Sequence, residues 1–365
     1  LAGRYDGGQR VRDADALRKE NLMLAFVRRV AALLGVAAIA ATAAPSSAAP
    51  ELIPVRFSIN PHFITYTALF DAIDKGYFRD AGLDLQLIPY KTSASAQLPK
   101  LARGDLDISV VVPGPGLFNA YAEGFNVKII GSTGEAHKGY LDGSVLMVRK
   151  DLWDKGTIRK PSDLKGKNVD GAFQGSPIAL LTLETITGAG LSTSDVQFTT
   201  KESTVADQFA ALTNKAVDVQ GTTEPTATAM VQKGVAVKWL SYRDVIPWYQ
   251  DSYWAESNAF AKAHPDAAVK FLTAYLRGEA DIAKTNGKLT PELVTMIAKW
   301  TQIPAETIRA LGVTSYYGNF ASINTESLER VQKFWQGLGL VKKPVAISQI
   351  VDPAPLAAAR KTAQK

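Results

Sequence analysis

Residues 85–130 read LQLIPYKTSASAQLPKLARGDLDISVVVPGPGLFNAYAEGFNVKII, and residues 196–240 read VQFTTKESTVADQFAALTNKAVDVQGTTEPTATAMVQKGVAVKWL. At an offset of 111 (212 less 101), Gln86 meets Gln197, Gln97 meets Gln208, Leu101 meets Leu212 and Asp107 meets Asp218. Apolar positions agree as well: Leu98, Leu106 and Ile108 meet Phe209, Val217 and Val219. After one deletion the offset becomes 110 (234 less 124), and Gly124, Val127 and Lys128 meet Gly234, Val237 and Lys238. Each stretch reads as strand, Ser/Thr-rich turn, helix, short strand, Pro-containing turn, helix and closing strand. Upstream the order also matches: VRFSIN, Pro61, a helix and AGLDL in one, KNVDGAF, a Gly-Ser-Pro turn, a helix and AGLSTSDV in the other. A βαβα unit repeated at this scale predicts two similar α/β lobes with a cleft between them.

At 365 residues the chain has room for a buried core in each lobe. Half of its formal charge of +6 sits in residues 1–48. Residues 1–48 hold seven Lys/Arg and four Asp/Glu, so the remainder carries 34 basic and 31 acidic side chains, too even a balance to argue for nucleic acid. Met23, Arg28-Arg29, the apolar run 30–44 and Pro45-Ser-Ser-Ala48-Ala49 have the layout of a secretory signal peptide cleaved after Ala48. Residues 1–22 show no such pattern and are expected to be an over-extended N-terminus ahead of a signal peptide at 23–48. There is no cysteine. A disulfide framework and a lipid-modified cysteine anchor are both excluded, and a periplasm-like compartment is expected for the mature chain.

Catalytic motifs are missing from the sequence. There is no G-x-S-x-G, Walker loop or H-E-x-x-H, and Gly114-Pro115-Gly116 lacks the third glycine of a dinucleotide fingerprint. The three histidines, His62, His137 and His264, stand apart without ligand spacing, so neither a metal nor a cofactor is expected. Ligands of open α/β sheets sit at the carboxyl ends of strands, which singles out Asn60, His62, Phe63 and Tyr66 after the first strand. Gly175 and Ser176 open a helix at Pro177, and such a terminus suits either a bound carboxylate or sulfonate or a plain capping turn. Thr92 and Ser93 form the equivalent turn in the first copy, with the same two readings. Pro113 and Gly114 fit a cleft edge or a simple turn, and Thr133, just past the end of the first copy, is a further candidate. Glu224 suits either a ligand's amine or hydroxyl or the N-terminus of the next helix. Phe63, Tyr66, Phe118, Phe173, Trp248 and Trp254 are candidate walls, each also explicable as core. Taken together, they suggest a ligand with an apolar or aromatic body.

The ordered set KGYFRDAGLDLQL, LARGDLDISVV, GFNVKIIGS, LMVRKD, PSDLKGKNV, Gly-Ser-Pro, AGLSTSDV, AALTNKAVDVQ and Glu224-Pro225 resembles the substrate-binding proteins of ABC importers, most closely the sulfonate, nitrate, taurine and thiamine-precursor group. The resemblance spans roughly residues 55–357. It implies a type II periplasmic-binding fold, two α/β lobes joined by crossing strands near 139–147 and 253–260. It further implies lobe I from 51–142 and 256–345, lobe II from 143–255 and a C-terminal tail at 346–365; from Asp352 that tail is Ala/Lys-rich and expected to be loose. The expected function is capture of a small organic anion, a sulfonate or carboxylate, by a monomer that delivers it to an ABC permease and ATPase. A sensing subunit for a membrane kinase stands as an alternative. An enzyme such as a thiamine-pyrimidine synthase is a further one, although the desulfinases and the deaminase on this fold imply a functional cysteine.

Overall fold

The computed structural model describes residues 51–90, 94–201 and 203–363. The expected leader, Thr92 and Ser93 lie outside these residues. Ten strands are described: β1 (Ile53–Ile59), β2 (Leu83–Pro89), β3 (Ile108–Val111), β4 (Val127–Ser132), β5 (Ser144–Arg149), β6 (Asn168–Asp170), β7 (Gln197–Thr199), β8 (Val219–Thr223), β9 (Ala236–Ser241) and β10 (Tyr253–Ser257). They form two five-stranded sheets of matching order, β2-β1-β3-β10-β4 and β7-β6-β8-β5-β9. In each sheet the first three strands are parallel and the fourth, β10 or β5, runs antiparallel to both neighbours. This is the type II periplasmic-binding fold.

The two repeated stretches occupy equivalent places. The helices Leu98–Arg103 and Pro115–Ala122 link β2, β3 and β4, as Val205–Thr213 and Thr226–Gln232 link β7, β8 and β9. The fourth strand breaks the order. β5 follows β4 in sequence yet lies in the second sheet, and β10 follows β9 yet lies in the first. SVLMVR in β5 and YWAES in β10 are buried at every position, as strands covered on both faces must be.

The chain therefore crosses in segments 133–143 and 242–252, just ahead of the two strands. The expected second crossing at 253–260 is itself a sheet strand, and the lobe boundary drawn at residue 255 falls inside β10, because its apolar residues are covered only when the whole strand inserts between β3 and β4. The crossings are tied together where Thr133 N–H donates to the Ser252 carbonyl at 3.2 Å and their hydroxyls meet at 2.6 Å.

Asp107 and Asp218, paired by the sequence offset, hold matching junctions. Asp107 Oδ2 accepts the Arg56 N–H at 2.7 Å, and Asp218 Oδ2 accepts the Asn168 N–H at 2.9 Å. Their own N–H groups donate back to the Arg56 and Asn168 carbonyls at 2.9 and 2.8 Å. Their carbonyls accept from Ser257 and Arg149 at 2.9 and 3.0 Å. One aspartate in each sheet thus fixes three strands, β1-β3-β10 and β6-β8-β5, with a guanidinium from Arg56 or Arg149 on the remaining carboxylate oxygen.

Helices Ala267–Ala283, Pro291–Thr301, Ala305–Leu311 and Thr325–Gly337 follow β10. The tail expected to be loose is instead packed. Helix Ala354–Ala363 lies along Ala267–Ala283 and buries Leu356 and Ala359, while Arg360 donates to the carbonyls of Asn319 and Phe320. Two buried side chains and the Arg360 hydrogen bonds seat it.

Replacing Asp107 or Asp218 with Ala leaves a backbone N–H of an interior strand without its acceptor and a guanidinium without its partner. Each change is expected to cost roughly 2–3 kcal/mol in urea denaturation, whereas Asp105→Ala, which removes an exposed ion pair to Arg103, costs less than about 0.5 kcal/mol. A loss at Asp107 or Asp218 no larger than at Asp105 contradicts the junction role.

Candidate ligand cleft

A cavity of about 400 Å³ opens where the carboxyl ends of the parallel strands of both sheets face one another. The first sheet contributes Asn60, Phe63, Thr65 and Tyr66 after β1, Tyr90 after β2 and Val112 after β3. The second contributes Ala172, Phe173 and Ser176 after β6, Lys201, Ser203 and Thr204 after β7, and Thr223 and Glu224 at the end of β8. The crossing segments and the start of β5 supply Gly143, Ser144, Tyr242, Asp251 and Ser252.

Of the residues singled out from sequence, Asn60, Phe63, Tyr66, Phe173, Ser176 and Glu224 are brought together on this lining. Phe63 and Tyr66 meet edge to face at 5.9 Å between ring centroids. The Asn60 side chain accepts the His62 N–H, which fixes the turn leaving β1. Ser176 Oγ accepts the Ala179 N–H at 3.0 Å, so its helix is capped by its own side chain. Glu224 is committed within its own lobe. Oε1 lies 2.5 Å from Lys238 Nζ, and Oε2 accepts the Thr228 N–H at the start of the next helix.

Other candidates fall elsewhere. His62 turns away, its Nδ1 2.9 Å from the Thr301 carbonyl at the end of a C-terminal helix. Trp254 is fully buried among Phe57, Tyr66, Phe271 and Tyr275, because β10 is covered on both faces and its largest ring fills the core. Phe118 is also core, and Trp248 packs under Arg330 with the guanidinium 5.2 Å from its ring. Thr133 lines a second, small cavity of about 30 Å³ beside the crossings.

Pro113, Gly114 and Gly175 are not on the lining. Gly114 and Gly175 instead touch across the cleft: a Cβ on Gly114 would lie 2.6 Å from the Gly175 carbonyl oxygen, and one on Gly175 would lie 2.9 Å from Pro115 Cδ. Two residues without side chains therefore let the two halves touch at this point. Gly175 also needs its glycine for a φ of +79°, while Gly114 is extended.

The sequence reading missed Lys201, Tyr90 and Asp251. Lys201 is the one Lys or Arg among the described residues that line the cavity. Tyr90 is buried with no hydrogen-bond partner on its hydroxyl, and burial pushes that hydroxyl up to about 12. Asp251 borders both cavities. Its carboxylate accepts from Ser252 Oγ at 3.1 Å, and desolvation, with Asp142 nearby, pushes its carboxyl up to about 6. A signal for Asp251 existed: a lone acid inside the aromatic run WYQDSYW at 248–254.

Residues 64–286, more than half of the chain, match the family profile described as NMT1/THI5 like. The chain belongs to the NMT1/THI5-like family. Among solved structures, the periplasmic aliphatic sulphonate binding protein SsuA from Escherichia coli is 20% identical, with a TM-score of 0.64 over 82% of this chain and 97% of that one. The periplasmic nitrate-binding protein NrtA from Synechocystis PCC 6803 is 14% identical, with a TM-score of 0.67 over 86% and 90%. A variant of DSZB in complex with biphenyl-2-sulfinic acid is 16% identical, with a TM-score of 0.62 over 85% and 100%, so the same fold also carries a desulfurization enzyme. No curated protein matches the chain in sequence.

Because the Asp251 carboxyl is raised above its ordinary value, its ionised form opposes folding, an effect absent well below pH 4 and full above about pH 6. Asp251→Asn is therefore expected to raise the melting temperature of the unliganded protein at pH 8, by on the order of 1–3 kcal/mol of stability, with a gain that shrinks as the pH falls below 6. Differential scanning calorimetry across that range checks the sign, and no gain at pH 8 contradicts an uncompensated carboxylate.

Proposed function

We propose that this chain is a periplasmic solute-binding protein that closes on one small organic molecule between its two lobes and presents the closed form to an ABC permease and ATPase. The observation that carries this reading is the cavity itself. It draws its walls from both sheets and from both crossings, so a molecule inside it stabilises the closed arrangement over any open one. Membership of the NMT1/THI5-like family and likeness in fold to binding proteins for sulfonate and nitrate support the same role.

The solute is an organic anion, a sulfonate or carboxylate with an apolar or aromatic body. Phe63, Tyr66, Tyr90 and Phe173 give it flat apolar walls, and Lys201 gives the acidic group a cation. A cavity of about 400 Å³ suits a molecule larger than a bare inorganic ion. The signal-peptide layout at 23–48 and the lack of any cysteine fit export as a freely diffusing monomer. The likeness to DSZB favours an enzyme as the second reading; it is the weaker one, because this chain offers no thiol nucleophile.

Mass spectrometry of the folded protein under native and then denaturing conditions tests the receptor reading. One non-covalently held small molecule per chain, released unchanged, is the expected result. A molecule chemically converted by the protein points to the enzyme instead.

Closure has its own probe. Gly114→Ala places a methyl group against the Gly175 carbonyl at a backbone conformation any residue adopts. Affinity is expected to fall by about tenfold or more with the unfolding midpoint of the unliganded protein unchanged, since only the inter-lobe contact is disturbed. Unchanged affinity contradicts the closing contact.

A further inference from the structure

The small cavity of about 30 Å³ shares Thr65, Gly143, Tyr242 and Asp251 with the lining of the cleft. Three parts of the chain meet around it: the first crossing through Asp142, the second through Tyr249, and the loop after helix Ala305–Leu311 through Ser315. These three side chains are 7, 2 and 8% exposed, so each is more than nine-tenths buried. Each carries a buried oxygen with no hydrogen-bond partner among the described residues: Asp142 Oδ1, the Tyr249 hydroxyl and Ser315 Oγ. Neighbouring groups are committed elsewhere. Arg243 donates to the other Asp142 oxygen at 3.0 Å, and the Ser241 hydroxyl beside Asp142 donates to Asp244.

A buried polar atom without a partner forfeits the free energy of its lost hydration, and three of them around one polar cavity point to a shared occupant. Their chemistry defines it. Asp142 Oδ1 can only accept, whereas the two hydroxyls each have a hydrogen to donate. Water accepts from both hydroxyls and donates to Asp142 Oδ1, and the carboxylates of Glu135 and Asp251 on the same lining are open to its second hydrogen. The volume leaves room for about two waters and for no organic solute. A metal ion takes lone pairs alone, and among the described residues no three His, Asp or Glu side chains are spaced to hold one.

We infer that the small cavity is a built water site, in which ordered water joins the first crossing, the second crossing and the loop at Ser315. The direct contact of Thr133 with Ser252 is then one of two joints between the crossings. Because four residues line both cavities, this water backs the wall of the cleft, whatever solute the cleft takes.

The test is thermal unfolding of the full chain carrying Tyr249→Phe, Ser315→Ala or both. The sign decides: deleting a hydroxyl bonded to water lowers the melting temperature, and deleting an unpaired one raises it. Each single change is expected to lower it by about 2 °C. The double variant is expected to lose less than the sum, because both hydroxyls share one partner. A rise for either single variant, or a strictly additive loss, overturns the inference. A high-resolution crystal structure of the wild type identifies the occupant without any variant. Water within hydrogen-bond reach of Asp142 Oδ1, Tyr249 and Ser315 supports the site. A metal ion there, or side chains bonded directly to one another across a collapsed cavity, overturns it.

Discussion

Neither sheet is complete without a strand delivered from the other half of the chain. β10 closes the gap between β3 and β4, and β5 closes the gap between β8 and β9. Both strands are buried on two faces, so leaving either one out would expose an apolar slot and two rows of backbone donors and acceptors. That exchange forces the chain to cross twice between the lobes. It also sets the crossings beside one another, where Thr133 and Ser252 join them. The cleft, the paired crossings and the position of Asp251 all follow from this exchange.

Register then decides whether the carboxyl ends of the parallel strands meet at one place. Asp107 and Asp218 set it identically in the two sheets, each holding three strands through its own backbone and its carboxylate. A slip of one residue would turn the residues that follow β1, β3, β6 and β8 away from the cavity. At the far side, the absence of side chains on Gly114 and Gly175 lets the lobes touch. The joined crossings and the close-fitting rim enclose the space between them.

Much of this was legible because duplication puts structural information into sequence twice. The offset that aligned Asp107 with Asp218 also aligned strands and helices in order, and the motif set carried the fold. Phe63, Tyr66, Phe173, Ser176 and Glu224 were legible because strand ends and helix starts leave local signatures. Asp251, Lys201 and Tyr90 were passed over although each had a local signal, Tyr90 and Lys201 standing just past β2 and β7 and Asp251 interrupting an aromatic run; only the strand order of the two sheets shows that all three reach one cavity. Trp254 was misplaced because an aromatic residue on a doubly covered strand reads the same in sequence as one on a binding wall. The C-terminal helix was missed because Leu356 and Ala359 are the residues it buries, too few to leave a hydrophobic pattern.

Because the native chain has no cysteine, two can be introduced without background labelling. Exposed Glu123, after the first lobe's helix Pro115–Ala122, and exposed Ser194, after the second lobe's helix Pro177–Gly188, are suitable positions. Pulsed dipolar spectroscopy on spin labels at these sites, with the bound solute retained or stripped by unfolding and refolding, measures closure directly. Lobes that close on a solute require one narrow distance distribution when it is bound and a different, broader one when it is removed. Identical distributions in the two states contradict a cleft that works by closing.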